Sequence, residues 1–268
     1  MILLLALSLF TQTLDEHWKQ NLSVSQEIVH KNGLVIFENP LFGKVVAVNG
    51  KVELTQADEA VRHEMLVHVP LCAHRAPMTV LILGGANGGV LREVVKHTDV
   101  QRVVLVEPDK ALIELFQTHT PFLSDGAFDD PRVQVIASDT AEFLQQGHEA
   151  FDVILADKQV DVAQVKSRLR KGGIFIHPAG LPFLEKNIVA QSREVLKTHF
   201  KHTAFYFVAL PSSPPMAISF SSNKKYRPSD KALRERLATL SAPLTHYTPA
   251  VHRAAFALPA SMSQEITK

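Results

Sequence analysis

Glycines and an acidic residue at the ends of two apolar runs are the residues of this chain best suited to hold a ligand. Residues 80–93 read VLILGGANGGVLRE, and Glu107 follows the apolar run RVVLV. The pattern predicts a buried strand, a glycine-rich turn that opens a helix, and an acid at the end of the next strand. Gly84 and Gly85 let the backbone turn tightly and approach a ligand closely. A carboxylate about 20 residues further on is placed to accept hydrogen bonds from a ribose diol.

The turn departs from the dinucleotide fingerprint GxGxxG, because Ala86 stands where a glycine is needed. A short GG-x-x-GG turn favours an adenosine ligand without a pyrophosphate, such as S-adenosylmethionine or a relative. A tight turn followed by a solvated Glu107 is the competing interpretation.

Two more carboxylates follow predicted strands. Asp139 comes after VQVIAS, with Thr140 at the start of the next helix, and Asp157 ends the run FDVILAD. Ligands of open α/β sheets sit beyond the carboxyl ends of the strands, so we expect these side chains and Asn87 to share one crevice. There Glu107 would hold a ribose, Asp139 an adenine amino group and Asp157 the reacting end of the ligand. Alternatively, Asp157 caps the following helix.

Short apolar runs broken by turn signals precede the glycine turn. Residues 24–55 contain several such runs, and the pairs Asn32-Gly33 and Asn49-Gly50 are typical of two-residue β-hairpins. These signals predict a small antiparallel β-hairpin domain over residues 1–56. Residues 57–74 predict a helix with Pro70 near its end or at a kink.

Strands and helices alternate over the remainder, residues 57–268. The predicted strands are TVLILG, RVVLVE, VQVIAS, FDVILAD, GIFIHP, TAFYFVAL and AISFSS, and the predicted helices cover residues 88–97, 109–118, 140–147, 161–170 and 184–198. Strands that are almost entirely apolar are typical of a sheet covered on both faces. The alternation predicts an α/β domain with a doubly wound, Rossmann-like parallel sheet, whose last two strands are antiparallel.

The composition disfavours several classes of protein. A net charge of +1 over 268 residues gives no electrostatic reason to expect a nucleic-acid partner. The single cysteine, Cys72, excludes a disulfide framework and is expected to be buried. The 13 histidines form no metal-binding motif, so we expect no metal. The apolar start MILLLALSLF is too short to span a bilayer and predicts a buried strand or helix, with a signal peptide as the alternative. We expect a cytoplasmic protein without a membrane partner.

Several segments carry motifs of one family. LTQADEAVRHEMLVHVPL and VLILGGANGGVLREVVKH are similar to TxxDExxYHEMxxHVPL and GGGDGGxLREVxKH. VEPDKALIEL, DDPRVQVIASD and HYTPAVHRAAFALP match further patterns of that family, and IFENPLFGKVVAVNG resembles its N-terminal hairpins. The chain is therefore similar, from about residue 34 to residue 259, to the spermidine synthases or polyamine aminopropyltransferases.

The resemblance implies a fold and a reaction. The implied fold is an N-terminal β-hairpin domain followed by a methyltransferase-like Rossmann domain, assembled as a homodimer or homotetramer. The implied reaction transfers the aminopropyl group of decarboxylated S-adenosylmethionine, a co-substrate, to putrescine. Spermidine and methylthioadenosine are the products, and neither a cofactor nor a metal is required.

The resemblance also implies residue roles. Glu107 matches the ribose-binding acid, Asp139 the adenine-binding acid and Asp157 the proton-accepting acid. His63 matches a histidine that faces the polyamine. Asn32 stands roughly where the family has a glutamine that contacts the nucleoside.

The departures from the family pattern concentrate at the acceptor end of the site. Asn87 replaces the Asp of GGGDGG, Arg62 replaces the Tyr of YHE, and Thr140 replaces a Gly. Asp161 lies one residue later than the family's second Asp, and the loop and helix that follow are shortened. Loss of a carboxylate and gain of an arginine both disfavour a dicationic acceptor.

Three functions stay open on these residues. The first is a divergent aminopropyltransferase that acts on putrescine or another amine. The second is a catalytically degenerate relative that retains nucleoside binding or a scaffold role. The third is a methyltransferase that uses intact S-adenosylmethionine, whose carboxylate would pair with Arg62.

Overall fold

The computed structural model describes residues 8–16 and 18–260, which form two compact units. Unit 1 contains the described residues up to Ala60 together with Leu210–Pro214. Unit 2 contains Val61–Ala209 and the described residues from Pro215 onward. The division into domains at residues 56 and 57 stays a prediction.

Unit 1 consists mainly of two antiparallel sheets. Its strands are β1 (Ser8–Thr13), β2 (Lys19–Val24), β3 (Gln26–Lys31), β4 (Leu34–Asn39), β5 (Gly43–Val48) and β6 (Lys51–Thr55). Strands β1 and β2 form one sheet, and β3 to β6 form the other in chain order.

Both Asn-Gly hairpins are confirmed. Asn32 and Gly33 have φ angles of 51° and 80°, and Asn49 and Gly50 have 50° and 77°. Positive φ at both central positions is what a type I′ turn requires, and its twist matches that of the flanking strands.

The apolar N-terminus differs from its prediction where the structure describes it. Residues 1–7 lie outside the described part, and residues 8–10 begin strand β1. The strand is not buried, because Leu9 is 60% exposed. Residues 8 and 9 point to opposite faces of the two-stranded sheet, and both are exposed, so the burial prediction was wrong for them.

Nearly all of the regular structure after β6 belongs to unit 2. Its helices are α1 (Glu59–Ala73), α2 (Gly89–Val95), α3 (Lys110–His119), α4 (Pro121–Ser124), α5 (Thr140–Gln146), α6 (Val162–Ser167), α7 (Lys186–His199), α8 (Asp230–Leu237) and α9 (Pro249–Ala255). Its strands are β7 (Thr79–Leu83), β8 (Arg102–Val106), β9 (Val133–Ile136), β10 (Phe151–Ala156), β11 (Leu169–Gly180), β12 (His202–Leu210) and β13 (Ser213–Ser222).

The seven strands form one sheet in the order β12-β13-β11-β10-β7-β8-β9. Strands β7 to β11 are parallel, and β13 runs antiparallel to β11. Strands β12 and β13 are neighbours joined by two residues, which is a hairpin connection. The chain moves from β7 to β8 and β9 on one side and returns to β10 on the other. The order therefore reverses between β7 and β10, where ligands of such sheets bind.

The predicted helix over residues 161–170 is wrong in its last three residues. Helix α6 ends at Ser167, and strand β11 already begins at Leu169, which pairs with Phe151. Arg168 holds the chain in place where the helix ends, because its guanidinium donates to the carbonyl oxygens of Glu149 and Phe143 at 2.6 and 2.8 Å.

No helix in the described part of the chain is both long enough and apolar enough to cross a membrane. Cys72 is buried, as predicted. Burial raises the pKa of its thiol to about 12, because desolvation disfavours the thiolate.

Candidate active site

Three hydrogen bonds align the ends of four strands at one edge of the sheet in unit 2. The Gly84 amide donates to the Val106 carbonyl at 2.9 Å, and the Asp157 amide donates to the Leu83 carbonyl at 3.0 Å. The Glu107 amide donates to Ile136 at 3.1 Å. The glycine turn and both predicted acids therefore follow directly on paired strand ends, beside the reversal of strand order between β7 and β10.

The glycine turn has the backbone that its sequence predicts. Gly84, Gly85 and Gly88 have φ angles of 85°, 90° and 78°, which residues with a side chain rarely adopt. A Cβ on Gly88 would also come within 2.5 Å of Ser124 Cβ. Asn87 Oδ1 accepts from the Gly89 amide at 2.8 Å, so this side chain holds the start of helix α2.

The two carboxylates predicted to hold the nucleoside differ in setting. Glu107 is buried, and its Oε1 accepts from the Asp109 amide at 3.3 Å. Asp139 is exposed, and its Oδ1 caps helix α5 through the amides of Ala141 and Glu142 at 2.8 and 3.2 Å. The following Thr140 is buried, and its hydroxyl has no partner among the described residues.

Asp157 forms an ion pair with Arg62. Arg62 Nη2 donates to Asp157 Oδ1 at 2.7 Å, and the two side chains are 13% and 20% exposed. Lys158 lies close by, since a Cβ built on Gly84 would come 3.5 Å from Lys158 Cε and 3.7 Å from Asp157 Cβ. Asp157 is not a helix cap, because Asp161 caps α6 through Ala163 and Gln164.

His63 and Glu64 hold different parts of unit 2. The His63 ring is buried against helix α2, where a Cβ on Gly89 would come within 2.2 Å of its Cε1 atom. Glu64 is also buried, and its carboxylate accepts from three successive amides, those of residues 245–247, at 2.7 to 2.9 Å. The structural role of Glu64 was not predicted, although its place beside His63 in the motif was a signal.

A buried network behind the glycine turn joins helices α1 and α2. His68 contacts His97 at 2.8 Å and Glu93 at 2.9 Å, and Glu93 also bonds Lys96 and Arg92. Burial alone would raise the pKa of Glu93. The hydrogen bonds from His68, Lys96 and Arg92 outweigh that effect and lower the pKa to about 2.

One predicted site residue, Asn32, lies in unit 1. Asn32 is the first central residue of a hairpin turn in unit 1, and its contact with a nucleoside stays a prediction. Within residues 8–16 and 18–260, no group of three His, Cys, Asp or Glu side chains is arranged to hold a metal ion.

Fold and site together define a doubly wound α/β protein with a glycine turn and carboxylates at the switch point of its sheet. The family pattern described as "Spermine/spermidine synthase domain" matches residues 59–232, which is more than half of the chain. The chain therefore belongs to the spermine/spermidine synthase family.

Relatives match along nearly the whole chain. The polyamine aminopropyltransferase of Yersinia pestis (strain Pestoides F) is 34% identical over 279 residues, covering 97% of this chain and 94% of the relative. The polyamine aminopropyltransferase of Yersinia pseudotuberculosis serotype O:1b (strain IP 31758) gives the same values.

Solved structures agree with the fold. The spermidine synthase of Thermotoga maritima superposes with a TM-score of 0.89 at 29% identity, covering 97% of this chain and 94% of that one. A spermidine synthase in complex with the transition-state analogue AdoDATO matches with the same values. These matches confirm the predicted fold class and the predicted family.

Proposed function

We propose that this protein is an aminopropyltransferase, which moves the aminopropyl group of decarboxylated S-adenosylmethionine to putrescine or a related amine. The observation that carries the proposal is the row formed by Gly84, Glu107 and Asp157 at one edge of the sheet in unit 2. The Yersinia relatives, named polyamine aminopropyltransferases, support the same class of reaction.

The donor nucleoside would lie over the glycine turn. Gly84 and Gly85 have no side chains to obstruct it, and Glu107 Oε2 would accept hydrogen bonds from the ribose hydroxyls. Asp139 Oδ1 is used by helix α5, so Oδ2 is the atom that would accept from the adenine amino group. Gly84 also adjoins Asp157, so the sulfonium end of such a ligand would lie toward that carboxylate.

The reaction needs a neutral amine and a proton acceptor. The amine lone pair attacks the aminopropyl methylene carbon bound to the sulfonium sulfur. The bond between that carbon and sulfur breaks, and its electron pair leaves with sulfur as methylthioadenosine. The new carbon–nitrogen bond makes the nitrogen cationic, and Asp157 takes the released proton. The sulfonium is already an activated leaving group, so positioning supplies much of the rate.

The Arg62–Asp157 ion pair also favours a second candidate, a catalytically degenerate relative that retains nucleoside binding or a scaffold role. In the structure Asp157 Oδ1, one of the two oxygens that can accept the proton, is bonded to the guanidinium. An active transferase must use Oδ2 or release Oδ1 when its substrates bind.

Nucleoside binding and turnover test the proposal separately. Methylthioadenosine should raise the melting temperature, and Glu107→Gln should remove most of the increase, since hydrogen bonds to an ionised group are worth about 1.5–3 kcal/mol. The control is Glu114→Gln, an exposed acid on helix α3. Spermidine and methylthioadenosine are then measured by mass spectrometry after incubation with donor and putrescine.

The results separate the candidates. An unchanged melting curve at millimolar methylthioadenosine would exclude the nucleoside site. Binding of methylthioadenosine without any product from putrescine, or from the related amines tested in the same way, would instead favour the degenerate relative.

A further inference from the structure

We infer that Arg62 binds a ligand carboxylate, so that the acceptor end of this site takes a carboxylate-bearing ligand in preference to a diamine. The inference rests on the proposed function and names the substrate class of the same site. It is carried by the Arg62–Asp157 ion pair, by Lys158 beside it, and by the neutral Asn87 in the glycine turn.

The side chains that the structure places against Asp157 are cationic. Arg62 contacts it at 2.7 Å, and Lys158 lies with it against Gly84. Asn87 is uncharged and adds no charge to this group. Arg62, Lys158 and Asp157 together carry a net charge of about +1. A diamine brings two further positive charges, whereas an amine with a carboxylate brings one charge of each sign.

Arginine is suited to exchange one carboxylate for another. Its planar guanidinium presents several donors, which match both oxygens of a carboxylate. A ligand carboxylate can therefore take the place of Asp157 on Arg62 without leaving the guanidinium unpaired.

The exchange would couple ligand binding to catalysis. Once the ligand carboxylate pairs with Arg62, Asp157 Oδ1 is free to accept the proton of the attacking amine. The amine nitrogen then bonds to the methylene carbon of the donor, and the carbon–sulfur electron pair goes to sulfur. A ligand without a carboxylate leaves the ion pair of Arg62 and Asp157 in place, and no such release occurs.

The carboxylate can come from either of two sources. It belongs to the acceptor amine, or it belongs to intact S-adenosylmethionine used as the donor. Both sources present the same group to Arg62, so the experiment has an arm for each.

The acceptor arm compares three amines that differ in one group. Putrescine carries a second aminomethyl group, γ-aminobutyrate carries a carboxylate in its place, and propylamine carries neither. Their dissociation constants are measured by calorimetry at saturating methylthioadenosine. The donor arm measures the dissociation constants of decarboxylated and intact S-adenosylmethionine by calorimetry in the absence of methylthioadenosine. Each arm is repeated with Arg62→Gln and with Arg75→Gln, an exposed arginine just beyond helix α1, as control.

A preference of at least about tenfold for γ-aminobutyrate over both other amines, lost in Arg62→Gln but kept in Arg75→Gln, assigns the carboxylate to the acceptor. A preference of that size for intact S-adenosylmethionine, lost in the same variant, assigns it to the donor. Lys158→Gln should weaken either preference less than Arg62→Gln does.

Absence of both preferences, or their survival in Arg62→Gln, overturns the inference. If methylthioadenosine binds in that experiment, the proposed function stands and only the ligand class is wrong. If methylthioadenosine does not bind to the unmodified protein, the proposed function fails and this inference fails with it.

Discussion

Three successive residues of helix α1 contact three different parts of unit 2. Arg62 pairs with Asp157 beyond strand β10, His63 packs on Gly89, and Glu64 holds the segment before helix α9. The motif that contains them therefore joins the sheet edge, the glycine turn and the C-terminal segment. Arg62 contacts the proposed proton acceptor, so a change at this position alters the chemistry of the site.

At the residue scale, Asp157→Asn should lower the turnover of any amine that the protein accepts by about 10²–10⁴-fold. The amide keeps the shape of the side chain but cannot take up the proton. Affinity for methylthioadenosine should hardly change, which calorimetry on the same samples checks.

The matched control is Asp161→Asn, because asparagine also caps helices. Asp161 Oδ1 bonds two amides of helix α6, and that variant should keep its activity. Full activity in Asp157→Asn would show that Asp157 serves only to hold Arg62.

A second prediction at this scale concerns the two substituted acceptor positions. Asn87→Asp and Arg62→Tyr restore the residues that the resemblance implies. We expect putrescine KM above the usual range of about 1 μM–1 mM in the unmodified protein. The double variant should improve kcat/KM for putrescine more than the two single changes combined, since both positions would face one ligand.

The measurement is spermidine formation by the four proteins at fixed donor concentration. Asn87 accepts from the Gly89 amide, and an aspartate accepts from it equally well, so the turn should survive. Saturation of the unmodified protein at micromolar putrescine would contradict the prediction and the inference about Arg62 together.

At the scale of elements, the glycine turn should tolerate no side chain at Gly88. Gly88 and Gly126 have almost the same φ, 78° and 77°, but only Gly88 has close neighbours, Ser124 and Phe128, within 2.7 Å of a built Cβ. Alanine costs about 1–2 kcal/mol at either position from backbone strain alone. Gly88→Ala should cost more, because helix α2 must also move.

Urea unfolding of both variants measures the difference. The loss of unfolding free energy in Gly126→Ala measures the backbone strain alone. The additional loss in Gly88→Ala measures the effect of the close approach of helices α2 and α4. Equal losses in the two variants would mean that the turn accommodates the methyl group.

Elements with strong local signals were predicted well from the sequence, and the remainder depended on distant contacts. The Asn-Gly hairpins and the apolar strands β7, β8 and β10 needed only turn chemistry and periodicity. The start of β11 at Leu169 depends on Arg168 reaching carbonyls near residue 149, which no local pattern shows. Strand β2 and helices α8 and α9 were not predicted, since they lack long apolar runs.

In the candidate site too, some residues were predicted from local sequence signals, whereas contacts between distant residues were not. The order of strands and acids predicted that Glu107 and Asp157 follow paired strand ends. The ion pair of Arg62 with Asp157 joins residues 95 positions apart, and the sequence showed only that an arginine stood at an unusual place. The use of Asp139 as a helix cap was visible from its position before Thr140, but which of its oxygens stays available was not.

At the scale of the whole molecule, the homodimer or homotetramer and the cytoplasmic location remain predictions from resemblance and composition. Acid stability is a property that the structure addresses directly, because buried titratable groups are spread over unit 2. Burial lowers the pKa of both His177 and His252 from 6.5 to about 4, since the charged ring is poorly solvated there. His177 Nδ1 also lies 2.5 Å from Ser219 Oγ, and His252 Nδ1 lies 2.7 Å from the Tyr247 hydroxyl.

The direction in which stability changes with pH follows from the direction of these pKa shifts. Each histidine binds a proton more readily in the unfolded chain, so its contribution to stability is complete above pH 6.5 and is lost as the pH falls toward about 4. Glu93 acts in a lower range: its pKa of about 2 against an ordinary 4.5 gives stability that is lost below pH 4.5. The protein should therefore weaken in two stages as it is acidified, first through histidines and then through Glu93.

Urea unfolding between pH 7 and pH 4 tests the first stage. Each histidine should contribute up to roughly 1.4 kcal/mol per pH unit to the slope of the unfolding free energy. His177→Gln should remove the contribution of one histidine from this slope, because glutamine does not titrate. Glutamine still keeps a polar contact for Ser219. The control is His30→Gln, a histidine on strand β3 whose side chain is 66% exposed. Equal slopes in the two variants would show that His177 takes up its proton without unfolding, which the burial of its ring beside Ser219 and Ser192 opposes.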